Sequence, residues 1–366
     1  MQDFVTEADI IPRFKTCSDH GIPFIQIKGF GIPTRGPGTW KFNNALLESN
    51  EFVAEMHKNI PIWLNDSKQG MSQTLGDQWG YFKHKIGKCF RKFGARLKRE
   101  RLALMTQLES ELTVVSAGLN DSNKEQYEKL REQLNELYEY EVRGSIIRSL
   151  SQNYEEGEKC SKYFFSLEKH KAKQKTICKL KLDDGQEVTN QEAILKECKS
   201  FYENLYKNNE LCDTESLNHF YENCNIPKVT PSEAEDCDTR LTLNELHNTL
   251  KLFRKNKYPG LDGLTSELYL KFWDLLGPLL LNVYDESFER GILPENMRVG
   301  VITLLEKKDK NRLKLANWRP ISLLGVDYKL LARCMGERLK KVLPNLIHPD
   351  QNGFVPGGNI FFQLIQ

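Results

Sequence analysis

The apolar positions of this chain change their period along its length. Through the first 70 residues they come in short runs cut by Pro and Gly, IIPRF, GIPFIQIKGFGIP and TRGPGTW. Runs bounded by such breakers predict strands and loops, followed by a helix near residues 44–60. From about Gln73 to Tyr140 the spacing turns helical. Leu97, Leu104, Leu108, Leu112, Val115 and Leu119 recur at three, four or seven, and Tyr127, Leu130, Leu134 and Leu137 repeat the pattern beyond GLNDSN. Two apolar stripes joined by a polar turn predict a helical hairpin reversing near 118–123.

Further on, TICKLKL and EVTN flank DDGQ and read as a strand pair, leading to a helix that ends in SFYENLY. Residues 208–240 are acidic, contain Pro227 and Pro231, and read as a linker. Thr242 with Glu245 three residues on has the capping-box pattern, so the last unit is expected to begin near 240. Within it Leu268, Phe272, Leu275, Leu276, Leu279 and Val283 form one core stripe. A second helix, Tyr328–Leu343, alternates Leu330, Leu331, Cys334, Leu339 and Val342 with basic side chains. The fold class is therefore α+β, mostly helical, built around a long helical hairpin.

A length of 366 residues implies two or three folded units. No stretch approaches the ~18 apolar residues of a membrane span, and MQDFVTEADIIPR has no secretory h-region. Nine cysteines, an odd number with no C-x-x-C pair, read as reduced thiols. The expectation is an intracellular protein, with nucleus and cytoplasm equally open.

The net charge of +2 excludes a uniformly basic nucleic-acid coat, but the charge is segregated. Nine Lys/Arg face one acid between Lys83 and Arg101, and nine acids face two lysines between Glu203 and Asp238. In the basic stretch Lys83, Lys85, Lys88, Arg91, Lys92 and Arg96 interleave with Phe82, Phe90 and Phe93. Such a segment can hold phosphates while its rings pack beneath or stack on bases. The ordinary reading of such a polar hairpin is a solvated arm whose apolar seam is covered by its twin, and the two readings are compatible.

Four signatures then follow in order: Pro259-Gly260-Leu261-Asp262-Gly263, Leu304-Leu305-Glu306-Lys307-Lys308, Asn317-Trp318-Arg319-Pro320-Ile321-Ser322-Leu323, and His348-Pro349-Asp350-Gln351-Asn352-Gly353-Phe354. This region resembles the fingers and palm entry of a reverse transcriptase, and more narrowly the open reading frame of a non-LTR, LINE-type retrotransposon. The resemblance implies RNA-directed DNA synthesis primed at a nicked target. Its partners would be an RNA template, a DNA primer or target and a dNTP, with Mg²⁺ in the intact family enzyme. A triphosphate of about four negative charges needs fixed cationic donors. In the family the paired lysines and the arginine sit on a finger β-hairpin closing over it, which assigns Lys307, Lys308 and Arg319 to nucleotide binding. The competing reading makes KKDK a solvated turn and Arg319 a buried ion-pair partner. On physics alone PGLDG is a tight turn before a helix, Gly supplying positive φ and Asp262 able to cap.

The N-terminus carries a second resemblance. Ser18-Asp19-His20, within CSDHGIPFIQIKG and followed by GPGTWKFN at 36–43, is similar to the last catalytic strand-loop of an endonuclease/exonuclease/phosphatase domain and the segment after it. Asp19 would orient His20 as a base that activates water. The upstream Asn, Glu and Asp that bind Mg²⁺ in that family are missing, so Asp19 and His20 are expected to be remnants without cleavage. The palm is expected to be incomplete in the same way. Two-metal phosphoryl transfer needs carboxylates holding ions roughly 4 Å apart. The only Asp-Asp pair, Asp183-Asp184, lies in the DDGQ turn. Departures from the family also occur at Gly325, Gly358 and Phe362-Gln363.

The expected layout is an endonuclease remnant at 1–30, a spacer with the helical hairpin at 31–150, and a small α/β connecting element at 151–207. The acidic linker follows at 208–240 and truncated reverse-transcriptase fingers at 241–366. The expected function is a partial LINE-type reverse transcriptase with no metal and no polymerase activity in this chain. The alternative is a non-catalytic nucleic-acid-binding relic.

Overall fold

The computed structural model describes residues 5–11, 22–27, 38–69, 74–149, 177–182, 184–207, 213–222, 224 and 227–347. The chain divides into two compact units. One comprises Met1–Gly38, Lys92–Cys198 and Leu305–Arg319, the other Thr39–Arg91, Lys199–Leu304 and Pro320–Gln366. The architecture is mostly helical with three two-stranded sheets among the described residues.

In the first unit β1 (Val5–Ile11) and β2 (Ile22–Ile27) pair antiparallel, Ile11 opposite Ile22. Asp19 and His20, between these strands, lie outside the described residues. The predicted hairpin is present. Helix α2 (Leu75–Ala117), whose start belongs to the second unit, is followed by α3 (Lys124–Ser149). Asparagine side chains close the turn between them: Asn123 Nδ2 donates to Gly118 O at 2.9 Å and Asn123 Oδ1 accepts from Asn120 N at 2.8 Å. The seam consists of Leu108, Leu112, Tyr127, Leu130 and Leu134, flanked by Met105, Val115, Leu137 and Tyr138. Leu104 and Leu119, expected on it, are exposed. The seam steps 101, 105, 108, 112, 115, alternating four and three as two nearly parallel helices require, which leaves Leu104 one position off. At its first step the seam turns polar. The Arg101 guanidinium lies 3.9 Å from the Tyr140 ring centroid and 2.9 Å from Glu141.

The predicted strand pair is also present as β3 (Leu180–Lys181) and β4 (Glu187–Val188), with Leu180 opposite Val188. Helix α4 (Gln191–Tyr206) leads on to the second unit. There the segment expected to be an acidic linker holds two short helices, α5 (Thr214–Glu222) and α6 (Pro231–Asp238). The second starts at a full capping box between Thr230 and Glu233, with Pro231 at the first helical position. Acidity did not prevent a helix there, because an acid in the first turn complements the helix dipole.

The remaining helices are α1 (Asn50–Gln69), α7 (Leu243–Lys251), α8 (Ser266–Lys271), α9 (Trp273–Arg290), α10 (Glu295–Arg298) and α11 (Val326–Leu346). The strands β5 (Val301–Glu306) and β6 (Trp318–Leu323) pair as a hairpin that runs directly toward α11. The stripe read as one helix over 268–283 is broken at Phe272, whose ψ of 30° leaves the helical range. The break rotates the following residues, so Leu280 and Tyr284 are buried while Leu275 and Leu279 are half-buried. On α11 Leu339 is exposed and Arg338 turns inward instead. Arg338 grips Glu245 with two bonds of 2.7 and 2.8 Å and donates to the carbonyls of Cys237, Thr239 and Arg240. Five bonds to one guanidinium satisfy the carbonyls between α6 and α7, which is why a charge is stable there. No helix among the described residues is long and apolar enough to cross a membrane.

Candidate functional site

Lys307, Lys308 and Arg319, the triphosphate clamp expected from the resemblance, lie on the β5–β6 hairpin, whose connecting loop is extensively tied to itself. Lys307 N donates to Asn317 O at 3.0 Å and Lys307 Nζ to Ala316 O at 2.7 Å. Asn311 receives Leu313 N on its side chain at 2.9 Å and Asn317 Nδ2 on its carbonyl at 3.0 Å. Trp318, buried beside the exposed Arg319, donates its indole N–H to Arg312 O at 2.9 Å, and Arg312 pairs with Glu306 at 3.1 Å. From β3, Lys181 N reaches Leu313 O at 2.8 Å. A loop tied this way is ordered before any ligand arrives. Lys308 and Arg319 are exposed and make no ion pair among the described residues, so Arg319 is not the buried ion-pair partner of the competing reading.

Along α2 the aromatic rings resolve one of the open alternatives. Phe82, Phe90 and Phe93 are buried, and Phe90 packs on Phe42 and Phe52 with centroids 4.8 and 5.3 Å away. They pack beneath the helix and are not available to stack on bases. Lys88, Arg91, Lys92 and Arg96 are exposed. Lys85 lies 5.1 Å from the Tyr81 ring, Arg91 5.2 Å from Trp40 and Arg96 4.6 Å from Phe93.

Lys83 departs from its neighbours. It is 7% exposed, and its ammonium lies 2.8 Å from Asp327 and 3.3 Å from Asp262. Asp327 is fully buried and accepts further bonds from Trp79 Nε1 at 2.8 Å and from Tyr328 N at 2.9 Å in its own first helical turn. Asp262 does not cap the next helix as expected. One oxygen takes Leu264 N at 3.1 Å and the other takes Lys83, while α8 starts at Thr265 without a side-chain cap. The two carboxylates are brought together by bare backbone. A Cβ on Gly260 would lie 2.5 Å from Gly325 N, so the PGLDG turn and the start of α11 cross at two glycines. Gly325, where the family commonly has Asn, thus has a local reason: a side chain there would meet Asp327 Oδ1 at 2.3 Å. Residues 40–44 dock on the same turn. Phe42 N donates to Gly263 O at 2.9 Å and Thr265 Oγ1 bonds Asn44 Oδ1 at 2.7 Å.

Electrostatics follow from one cation between two buried anions. Burial, the largest single influence on Lys83, opposes its charge, yet Asp327 and Asp262 together outweigh it and hold the ammonium above the ordinary lysine range. Asp262 is pushed up, first by burial and then by Asp327, against the pull of Lys83. The nearby Lys329 is pushed down by burial, which exceeds the attraction of the same two acids. The carboxylates are therefore already neutralised in part and covered. Among the described residues no group of three or more His, Cys, Asp or Glu converges where a metal ion could be held.

Lys83 had a signal in the sequence, since it interrupts the stripe Trp79, Phe82, Ile86, Phe90. Asp327 had none, because an acid in the first turn of a helix is ordinarily exposed.

No protein-family profile matches the chain. The chain is 35% identical over 326 residues, 88% of its length, to the Transposon TX1 uncharacterized 149 kDa protein of Xenopus laevis, of which it spans 24%. It is 27% identical over 112 residues, 30% of its length and 11% of the relative's, to the Putative 115 kDa protein in type-1 retrotransposable element R1DM of Drosophila melanogaster. It is 25% identical over 119 residues, 32% of its length and 12% of the relative's, to the Retrovirus-related Pol polyprotein from type-1 retrotransposable element R1 of Bradysia coprophila. These similarities, with the four signatures in order, leave one classification: the chain belongs to the polyproteins of non-LTR, LINE-type retrotransposons.

Proposed function

We propose that this chain supplies the fingers side of a LINE-type reverse transcriptase, holding nucleic acid and an incoming triphosphate. The observation that carries the reading is the braced β5–β6 hairpin with Lys307, Lys308 and Arg319 at and beside its loop. Donors fixed in advance stabilise phosphate charge without reorganising when the ligand arrives. The arginine fork can take two phosphate oxygens at once, a contact lysine cannot copy. Asp262 and Asp327 are engaged with Lys83, so the reading gives them no Mg²⁺ and gives this polypeptide no primer extension. Lys308→Ala with Arg319→Ala is expected to weaken dNTP binding by about 2 kcal/mol, roughly thirty-fold, in equilibrium dialysis. Far-UV circular dichroism should not change, because both side chains are exposed. Equal affinity of variant and wild type would remove the clamp from the account.

A second reading, nucleic-acid binding without chemistry, is favoured by the spacing of the exposed α2 cations. Lys88, Lys92, Arg96 and Arg99 follow one another at four, four and three residues and so share a helix face. If that face binds a single strand, replacing Lys88, Lys92 and Arg96 by Ala should flatten the plot of log affinity against log salt by about 2. An unchanged slope would return these side chains to ordinary solvated surface.

A further inference from the structure

The loop between α7 and the PGLDG turn carries Arg254, Lys255, Lys257 and the exposed ring of Tyr258, with no acid between Lys251 and Tyr258. Its main chain is held at three points. Arg333 of α11 donates to Leu252 O at 3.1 Å, and its guanidinium lies 5.5 Å from the Phe253 ring. Glu267 of α8 accepts the Asn256 N–H, and Lys329, one turn before Arg333, donates to Tyr258 O at 3.4 Å. Asn256 adopts the left-handed conformation at φ 60°, which asparagine tolerates better than most residues. The backbone is thus ordered by the fold, and a ligand would not have to order it again.

The cations of this loop differ from several others on the surface. Arg290, Arg312, Arg333 and Lys340 each pair with a glutamate. Arg254, Lys255 and Lys257 are exposed and have no ion pair among the described residues. Uncompensated positive charge on a fixed loop suits a polyanion. The neighbouring segment adds to it: Lys41 Nζ lies 5.5 Å from the Tyr258 ring centroid and Thr39 Oγ1 lies 3.4 Å from Tyr258 Oη.

We propose that this face is a binding site for single-stranded nucleic acid, with Lys41, Arg254, Lys255 and Lys257 on phosphates and Tyr258 stacked on a base. The exposed ring decides for a single strand, because a base inside a duplex has no free face to offer it. The site extends the nucleic-acid reading to a surface other than the β5–β6 hairpin and the α2 stripe, and its test keeps the two apart.

The test is fluorescence anisotropy with the full chain and labelled 20-nucleotide RNA, DNA and duplex DNA at several salt concentrations. Tyr258→Ala is expected to weaken single-strand binding about ten-fold and leave duplex binding unchanged, while Tyr258→Phe keeps wild-type affinity. Arg254→Ala/Lys255→Ala/Lys257→Ala should flatten the single-strand salt slope by about 2. The RNA and DNA arms identify the strand chemistry. Melting curves matching the wild type keep both variants interpretable. If neither single strand binds the wild type, the broader nucleic-acid reading fails together with this site. If single strands bind and only the α2 or hairpin variants weaken them, this site alone is overturned. Loss on removing the three charges without loss in Tyr258→Ala would also overturn it, and would point to a duplex or an acidic protein surface instead.

Discussion

Replacing Lys83 by Met is expected to destabilise the second unit by about 3–5 kcal/mol in urea denaturation followed by tryptophan fluorescence. Methionine matches the stem of lysine and removes only the ammonium. What remains is Asp327, fully buried, facing Asp262 with the shared cation gone. Breaking a buried pair from one side is costly because the uncompensated partner stays desolvated. The pH dependence gives the mechanism away. In the wild type the Lys83 pKa is raised, so its contribution is fully present below pH 10.5 and is lost as pH rises through the higher folded value. The Asp262 pKa is raised as well, so the native state favours its protonated form. The stability lost through its ionisation is absent below pH 3.8 and grows as pH rises through the folded value. In Lys83→Met the raised Asp262 carboxyl has lost its cation, so the deficit should shrink on acidification, where Asp262 is protonated. Adding Asp262→Asn to the variant should recover part of the loss at neutral pH. A variant as stable as the wild type, or a deficit indifferent to pH, would show that the cluster does not tie α2, the PGLDG turn and α11 together.

The second large effect is expected at Gly263. Its φ is +74°, and a Cβ there would lie 2.3 Å from the Trp40 ring and 2.5 Å from the Trp40 carbonyl oxygen. Backbone strain and collision therefore add, and Gly263→Ala is expected to cost about 3 kcal/mol. Gly291, the left-handed cap of α9 at φ +67°, has nothing within 4 Å of a built Cβ. Gly291→Ala should cost only the conformational share, about 1 kcal/mol. The difference between the two measures how firmly Trp40 is seated on the PGLDG turn. Equal losses would mean that Trp40 yields and the docking is loose.

These two sites mark how far the sequence could be read. The helical hairpin was legible because its signal is local. Asn120 and Asn123 end one stripe and start the next, and Leu108, Leu112 and Leu130, Leu134 need only each other. The strand pair around Gly185 was legible for the same reason. Local pattern misled where the chain changes direction without a breaker. Phe272 is an ordinary core residue, and nothing in its type announces the break that buries Leu280 in place of Leu279. Thr230 and Glu233 carry the same capping spacing as Thr242 and Glu245, but the acids and prolines of the segment read as a linker. The buried charges were hidden by distance: Lys83 and Asp327 are 244 residues apart in sequence, and Arg338 and Glu245 are 93 apart. A charged residue reads as exposed until its partner is in place. Lys308 and Arg319 were singled out only through resemblance, since neither charge nor spacing separates them from other surface cations.

The proposed contact between the β5–β6 hairpin and the triphosphate, and the proposed absence of primer extension, are open to one direct measurement. Photoaffinity labelling with an azido-deoxynucleoside triphosphate, followed by peptide mapping, reads the contact itself, and the same sample can be given Mg²⁺, an RNA template and a DNA primer. The account predicts label on peptides within residues 301–323, competed by unlabelled dNTP, and a primer that is not extended. Label confined to other peptides, or a primer that grows, would contradict it.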